Sequence, residues 1–266
     1  MLRSLEQILI GGVIIAGAVY LLYGAWLYVN QQRLLYYPDF ALRRDDLPTE
    51  EFAIDGETIR VHALNTEMPR AVLYFGGNAE AVGYQAEALT RALPARALYL
   101  VNYRGYGGST GQPREQALYK DAVFIFDALE ERHDTIAVIG RSLGSGVATW
   151  LAARRPVERL VLATPFDSLE GVARAHFPFY PVSLFLKERY DSIERAAAID
   201  TPTLLLIAAD DEIVPRSSSR RLEQAFANGT VTSLVIPHAR HNSISARHEY
   251  DKALAAFLGA GLTAGP

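Results

Sequence analysis

The chain has 266 residues, half of them apolar, which suffices for one large α/β domain with a buried core and excludes global disorder. Its 26 Lys and Arg against 30 Asp and Glu leave a net charge of -4, without the basic stripe that phosphate neutralisation requires, so no nucleic-acid partner is expected. There are no cysteines, which removes disulfides, thiol catalysis and cysteine-ligated metals.

The first thirty residues differ in kind from the rest. Ile8 to Val29 carries no charged side chain, and a helix over that run covers roughly 33 Å against a hydrocarbon core of about 30 Å. Trp26, Tyr28, Tyr36 and Tyr37 cluster at its C-terminal end, where amphipathic rings favour the headgroup layer. Arg3 and Gln31-Gln32-Arg33 bracket the run. Residues 1–30 therefore read as a single-pass membrane anchor, followed by a juxtamembrane linker over 31–50. The competing readings are a buried core helix and a signal peptide. The latter needs a shorter apolar stretch of about 7–15 residues with a small-x-small site after it, whereas Ala16-Gly17-Ala18 lies inside the run. Arg3 precedes the span and Arg33, Arg43 and Arg44 follow it, but Asp45 and Asp46 offset the latter two, so the side of the membrane stays open.

From residue 51 to 260 short β-rich runs alternate with helical patterns. Strands are expected at Glu51–Ile54, Ile59–Ala63, Ala71–Phe75, Ala97–Val101, Ile136–Ile139, Leu160–Ala163, Thr203–Ala208 and Ser233–Ile236. Most are continuous apolar runs, the pattern of strands covered on both faces. Helices are expected at Ala86–Leu93, Gln116–Glu131, Leu143–Arg154, Ser217–Phe226 and His248–Leu258. The alternation implies a mostly parallel eight-stranded sheet with helices on both faces, and Asp55-Gly56-Glu57 suits an antiparallel hairpin at one edge. About forty residues separate the strands ending at Ala163 and starting at Thr203. That interval, about 165–200, is rich in aromatics and prolines and reads as a lid. A Gly/Ala-rich tail from Gly259 is expected to fray.

Gly140-Arg141-Ser142-Leu143-Gly144 stands between a strand and a helix. A serine at such a turn is held exposed, and the flanking glycines allow close backbone approach. Ser142 is the candidate nucleophile. Asp211 and His241 follow two later strands in the order acid, then base, and each lies just past a strand's C-terminal end, where open α/β sheets gather their ligands. In that arrangement the histidine takes the serine proton and the carboxylate orients it. Asp210 and His238 are the neighbouring rivals; Asp211 opens the Asp-Glu-Ile-Val-Pro turn into the next helix and is preferred. For the oxyanion hole the amide of Leu143 is expected, with a second donor from the glycine loop at Gly77 or Asn78. The glycine-rich loop Asn102 to Gly111 is placed at the crevice rim. No H-E-x-x-H, Walker or dinucleotide pattern occurs, so neither metal nor cofactor is expected.

These motifs together resemble the membrane-anchored α/β-hydrolase-domain (ABHD-type) serine hydrolases. Leu73-Tyr74-Phe75-Gly76-Gly77-Asn78-Ala79 is similar to their F-H-G-N-A oxyanion loop. Asn102-Tyr103-Arg104-Gly105-Tyr106-Gly107, with Ser109, Gly111, Pro113 and Glu115, is similar to their N-Y-R-G-Y-G-x-S-x-G-x-P-x-E segment. The elbow at Ser142, the acid turn Asp211–Pro215 and the pair His241-Asn242 complete the resemblance in order. It implies the α/β-hydrolase fold, the triad above, an N-terminal anchor, and hydrolysis of carboxylic esters or thioesters of small-molecule or lipid-like acyl substrates through an acyl-serine. Alternatives are amide or peptide hydrolysis of the prolyl-oligopeptidase type, and an inactive binding scaffold. One departure stands out: the family's oxyanion loop has His where this chain has Gly76, which bears on the rigidity of that loop.

Overall fold

The short apolar runs after residue 51 form strands, and pairing with neighbours plus cover by helices satisfies their backbone and side chains together. The computed structural model describes residues 2–227 and 229–259, with side chains from residue 6 onward; of the tail expected to fray, Gly259 ends the last helix and the rest lies outside the described residues. The strands are β1 (Thr49–Ile54), β2 (Glu57–Leu64), β3 (Arg70–Phe75), β4 (Ala97–Val101), β5 (Thr135–Arg141), β6 (Leu160–Ala163), β7 (Thr203–Ala208) and β8 (Val231–Ile236). They form one sheet in the order β1-β2-β4-β3-β5-β6-β7-β8. Only β2 runs against the rest; Asp55 and Gly56, both at positive φ, turn β1 into it.

Nine helices are described: α1 (Leu2–Leu35), α2 (Ala86–Ala92), α3 (Glu115–Glu130), α4 (Leu143–Ala152), α5 (Leu169–His176), α6 (Val182–Phe185), α7 (Ser192–Ala196), α8 (Arg216–Ala225) and α9 (His248–Gly259). The chain moves one way across the sheet from β3 to β4, then reverses from β4 to β5 and onward. Right-handed crossovers consequently put α2 on one face and α3, α4, α7 and α8 on the other. Leu89 of α2 joins Leu254 of α9 in one core layer, whereas Phe126, Val147 and Leu222 fill the layer opposite. The reversal opens a crevice between the C-terminal ends of β3 and β5, the place where open α/β sheets bind ligands.

Two boundaries differ from expectation. The first helix does not stop at residue 30 but continues to Leu35, and the segment after it is not a free linker. Tyr36 and Ala41 are buried, Tyr37 N donates to Asn78 O (3.1 Å), and Gly107 N donates to Ala41 O (3.0 Å). Backbone pairing with the domain makes this stretch part of it. The forty-residue interval contains α5, α6 and α7, and its base is fixed by buried Asp167, which accepts from Ser168 N (2.8 Å) and Arg221 Nε (2.6 Å).

Far from the crevice, Glu158 ties the N-terminal ends of β3, β5 and β6 to α9. It accepts from Arg96 (2.7 and 3.1 Å), Thr135 Oγ1 (2.9 Å) and Arg70, and Arg96 also donates to Leu258 O (2.6 Å). Burial by itself raises the Glu158 pKa, but Arg96, Thr135 and Arg70 together outweigh it and hold it at about 2, against an ordinary 4.5. A depressed pKa contributes stability that is complete above pH 4.5 and fades as pH falls from 4.5 towards 2. Glu158→Gln is therefore expected to lower stability by about 2 kcal/mol at neutral pH, after discount for partial exposure. Thermal unfolding in detergent checks this: the gap from wild type should narrow below pH 4.5.

Candidate active site

Ser142 caps the strand–helix turn at φ 50°, ψ -116°, a conformation that costs an L-residue energy and persists only because its surroundings enforce it. Ser142 N donates to Ala163 O (2.9 Å) and Gly144 N to Gly76 O (3.1 Å). A Cβ on Gly144 would lie 2.1 Å from Phe75 O, and one on Gly140 would lie 2.4 Å from Gly144 O, so the turn closes only with glycine at both places. Leu143 begins α4, and as the first residue of a helix its N–H has no carbonyl within the helix to meet.

The three candidates converge. His241 Nε2 lies 2.8 Å from Ser142 Oγ, and His241 Nδ1 lies 2.9 and 3.0 Å from the two carboxylate oxygens of Asp211. The imidazole is buried, and Asp211 is aimed by Ile213 N (2.9 Å) and Val214 N (2.8 Å), which donate to its Oδ1. With Nδ1–H donated to Asp211, Nε2 is left as the acceptor facing the serine hydroxyl. Neither rival reaches this place: Asp210 and His238 are both exposed.

The oxyanion loop departs from expectation at Gly77. Its N–H donates to Glu80 Oε2 (2.7 Å), so this donor is already used and faces the carboxylate. Asn78 remains, lining the same cavity as Ser142 and Leu143. Its carbonyl accepts from Tyr37 N (3.1 Å) and Tyr106 Oη (2.6 Å), and its side chain donates to Leu35 O (2.9 Å). Tyr103 Oη donates to Gly76 O (2.8 Å). The loop Asn102 to Gly111 thus differs from its expected place at the rim: Tyr103 and Tyr106 are buried props beneath the oxyanion loop. Burial pushes the Tyr103 hydroxyl well above its ordinary pKa and keeps it a neutral donor.

Glu80 and Arg141 escaped sequence reasoning as a pair. Their side chains are only 7% and 9% exposed, and Arg141 Nη1 donates to Glu80 Oε2 at 2.7 Å. Tyr74 Oη donates to Glu80 Oε1 (2.8 Å), and Arg141 Nη2 reaches Asn242 Oδ1 (3.2 Å). One ion pair so links the oxyanion loop, the serine turn and the histidine loop. Burial alone would lower the Arg141 pKa, but the charge of Glu80, its hydrogen bond and the neighbouring Tyr74 and Tyr250 together outweigh it and keep the guanidinium protonated. Gly76 packs tightly here as well: a Cβ there would come 2.6 Å from Val82 Cγ1 and 3.1 Å from Glu80 Oε2, so the family's histidine would require Val82 to shift. The available signal was a charged residue, Arg141, inside a turn that must be buried.

All of this faces a cavity of about 770 Å³, largely apolar, within the range of small-molecule sites. Its walls come from three sources: the crevice, the lid around Phe177 and Phe185, and, unforeseen from sequence, α1 at Gly24 and Leu27.

Fold and site define a class, and the comparisons agree. A family profile described as the alpha/beta hydrolase fold matches residues 70–187. The chain belongs to the α/β-hydrolase family, among its ABHD-type members, and is a hydrolase. It is 34% identical to an uncharacterized protein of Mycobacterium tuberculosis (strain CDC 1551 / Oshkosh) over 90% of this chain and 89% of that one. It is 30% identical to the lysophosphatidylserine lipase ABHD12 of Mus musculus over 67% of this chain, which spans 51% of that longer protein. Among solved structures, a hydrolase from Pseudomonas aeruginosa PA01 shares the fold at a TM-score of 0.64 with 21% identity, over 80% of this chain and 98% of that one.

Proposed function

We propose that the protein hydrolyses carboxylic esters or thioesters of acyl or lipid-like substrates through an acyl-Ser142 intermediate, held at a membrane by α1 as a single-pass anchor. The observation that carries this reading is the continuous hydrogen-bonded path from Asp211 through His241 to Ser142 Oγ beside an apolar cavity. His241 Nε2 takes the hydroxyl proton as Ser142 Oγ bonds to the substrate carbonyl carbon. The oxyanion forms beside the amides of Leu143 and Asn78, each such donor typically worth about 3–4 kcal/mol in the transition state. Collapse breaks the ester or thioester bond, and His241 returns the proton to the departing alcohol or thiol. Water, deprotonated by His241, then releases the acid and restores Ser142. No metal or cofactor enters any step. A relative named as a lipase and the apolar cavity walls support the lipid-like substrate.

Turnover of p-nitrophenyl esters from acetate to dodecanoate tests the reading. Each buried methylene contributes about 0.8 kcal/mol, so kcat/KM is expected to rise at least about tenfold along the series. Flat or falling values beyond acetate would remove the acyl pocket from the proposal.

A further inference from the structure

The cavity beside Ser142 is closed on one side by the first helix, not by the hydrolase domain. Gly24, Leu27, Tyr28, Gln31 and Leu34 of α1 face into it, opposite Phe177, Tyr180 and Phe185 of the lid. The contact between helix and lid is built in detail. Tyr20 and Tyr180 stack at 4.6 Å with rings 3° from parallel, and Tyr180 Cε1 would lie 2.8 Å from a Cβ on Gly24. Tyr20 Oη donates to Phe179 O (2.7 Å). Gln31 closes the other end, its amide donating to Phe185 O (3.0 Å) and its Oε1 accepting from Lys187 N (2.9 Å).

The position of this contact along α1 is informative. Tyr20 lies nine residues before Val29, about 14 Å inside the end of the charge-free run, or roughly half a hydrocarbon core of about 30 Å. On the outside, Phe179 and Leu184 of the lid are 83% and 76% exposed, and the apolar side chains of α1 beside them are exposed as well. Water would penalise such a surface; one leaflet of a bilayer would cover both lid and helix. The cavity walled by α1 and the lid then lies at the level of that leaflet.

We propose that the acyl chain of a lipid resident in that leaflet enters sideways between α1 and the lid and lies against Gly24, Leu27 and Leu34, so that the first helix is a wall of the acyl site and not a tether alone. This rests on the Ser142 esterase reading and adds its substrate class: a membrane-resident ester whose chain reaches Ser142 without leaving the apolar phase. Removing residues 1–30 would take Gly24 and Leu27 out of that wall, so an anchor-free chain is expected to lose long-chain substrates first.

The test uses the full chain in phosphatidylcholine vesicles and an alkyl fluorophosphonate bearing a terminal diazirine. Ser142 Oγ bonds to phosphorus, fluoride leaves, and the proton passes to His241; irradiation then expels nitrogen, and the carbene inserts into whatever lies at the chain end. Cross-links from the Ser142 peptide into residues 24–35 are the expected result. Labelled protein whose cross-links fall only in α5 and at residues 213–214 overturns the proposal while leaving the esterase reading intact. Absence of labelling at Ser142 removes both. An independent measurement is the palmitoyl-to-acetyl turnover ratio of Leu27→Trp, expected to fall about tenfold as the indole fills the space of two or so methylenes. An unchanged ratio would place the chain elsewhere.

Discussion

Ser142→Ala is expected to lower esterase turnover by about five to six orders of magnitude, the loss seen when a serine nucleophile that works in concert with its base is removed. The substitution takes away the atom that forms the acyl bond and the hydroxyl 2.8 Å from His241 Nε2, and leaves the turn itself in place. Labelling by a fluorescent fluorophosphonate should vanish with turnover, because the probe needs the same activated oxygen. Asp211→Asn should sit between the two, with turnover down by about four orders of magnitude, since an amide leaves the imidazole in place but favours the wrong tautomer. Wild-type protein that folds yet stays unlabelled would mean that the hydrogen-bonded path is not catalytic, and the scaffold reading would replace it.

The second large effect belongs to the ion pair behind the site. Glu80→Gln leaves the Arg141 guanidinium buried without its counter-charge, and breaking one side of a buried pair typically costs about 3–5 kcal/mol. The same substitution weakens the acceptor that holds Gly77 N and with it the placement of Asn78. Since oxyanion contacts strengthen only in the transition state, kcat should fall at least about tenfold with KM little changed. The double variant Glu80→Gln/Arg141→Met separates the two roles. Removing both charges should recover most of the lost stability, as replacement of buried pairs commonly does, without recovering kcat. Recovery of both together would make the pair structural alone.

What the sequence alone determined is what local chemistry imposes. A run such as Thr203–Ala208 has no polar side chain beyond its first residue and becomes a buried central strand; Gly140 and Gly144 admit the one turn that exposes Ser142; and 22 residues without charge make a helix of bilayer length. Asp211 and His241 were legible because parallel strands deliver their C-terminal ends to one edge, whatever the details of packing. Pairings between distant segments were decided only by the tertiary structure. Nothing near Gly77 announces that its amide is taken by Glu80, nor that Glu80 meets Arg141 sixty-one residues later. The reach of α1 to Leu35 and its stacking on Tyr180, 160 residues away from Tyr20, are of the same kind. A hydrophobic pattern states that a face must be covered. Which partner covers it depends on the path of the whole chain, and here that path sets the first helix against the lid at the mouth of the site.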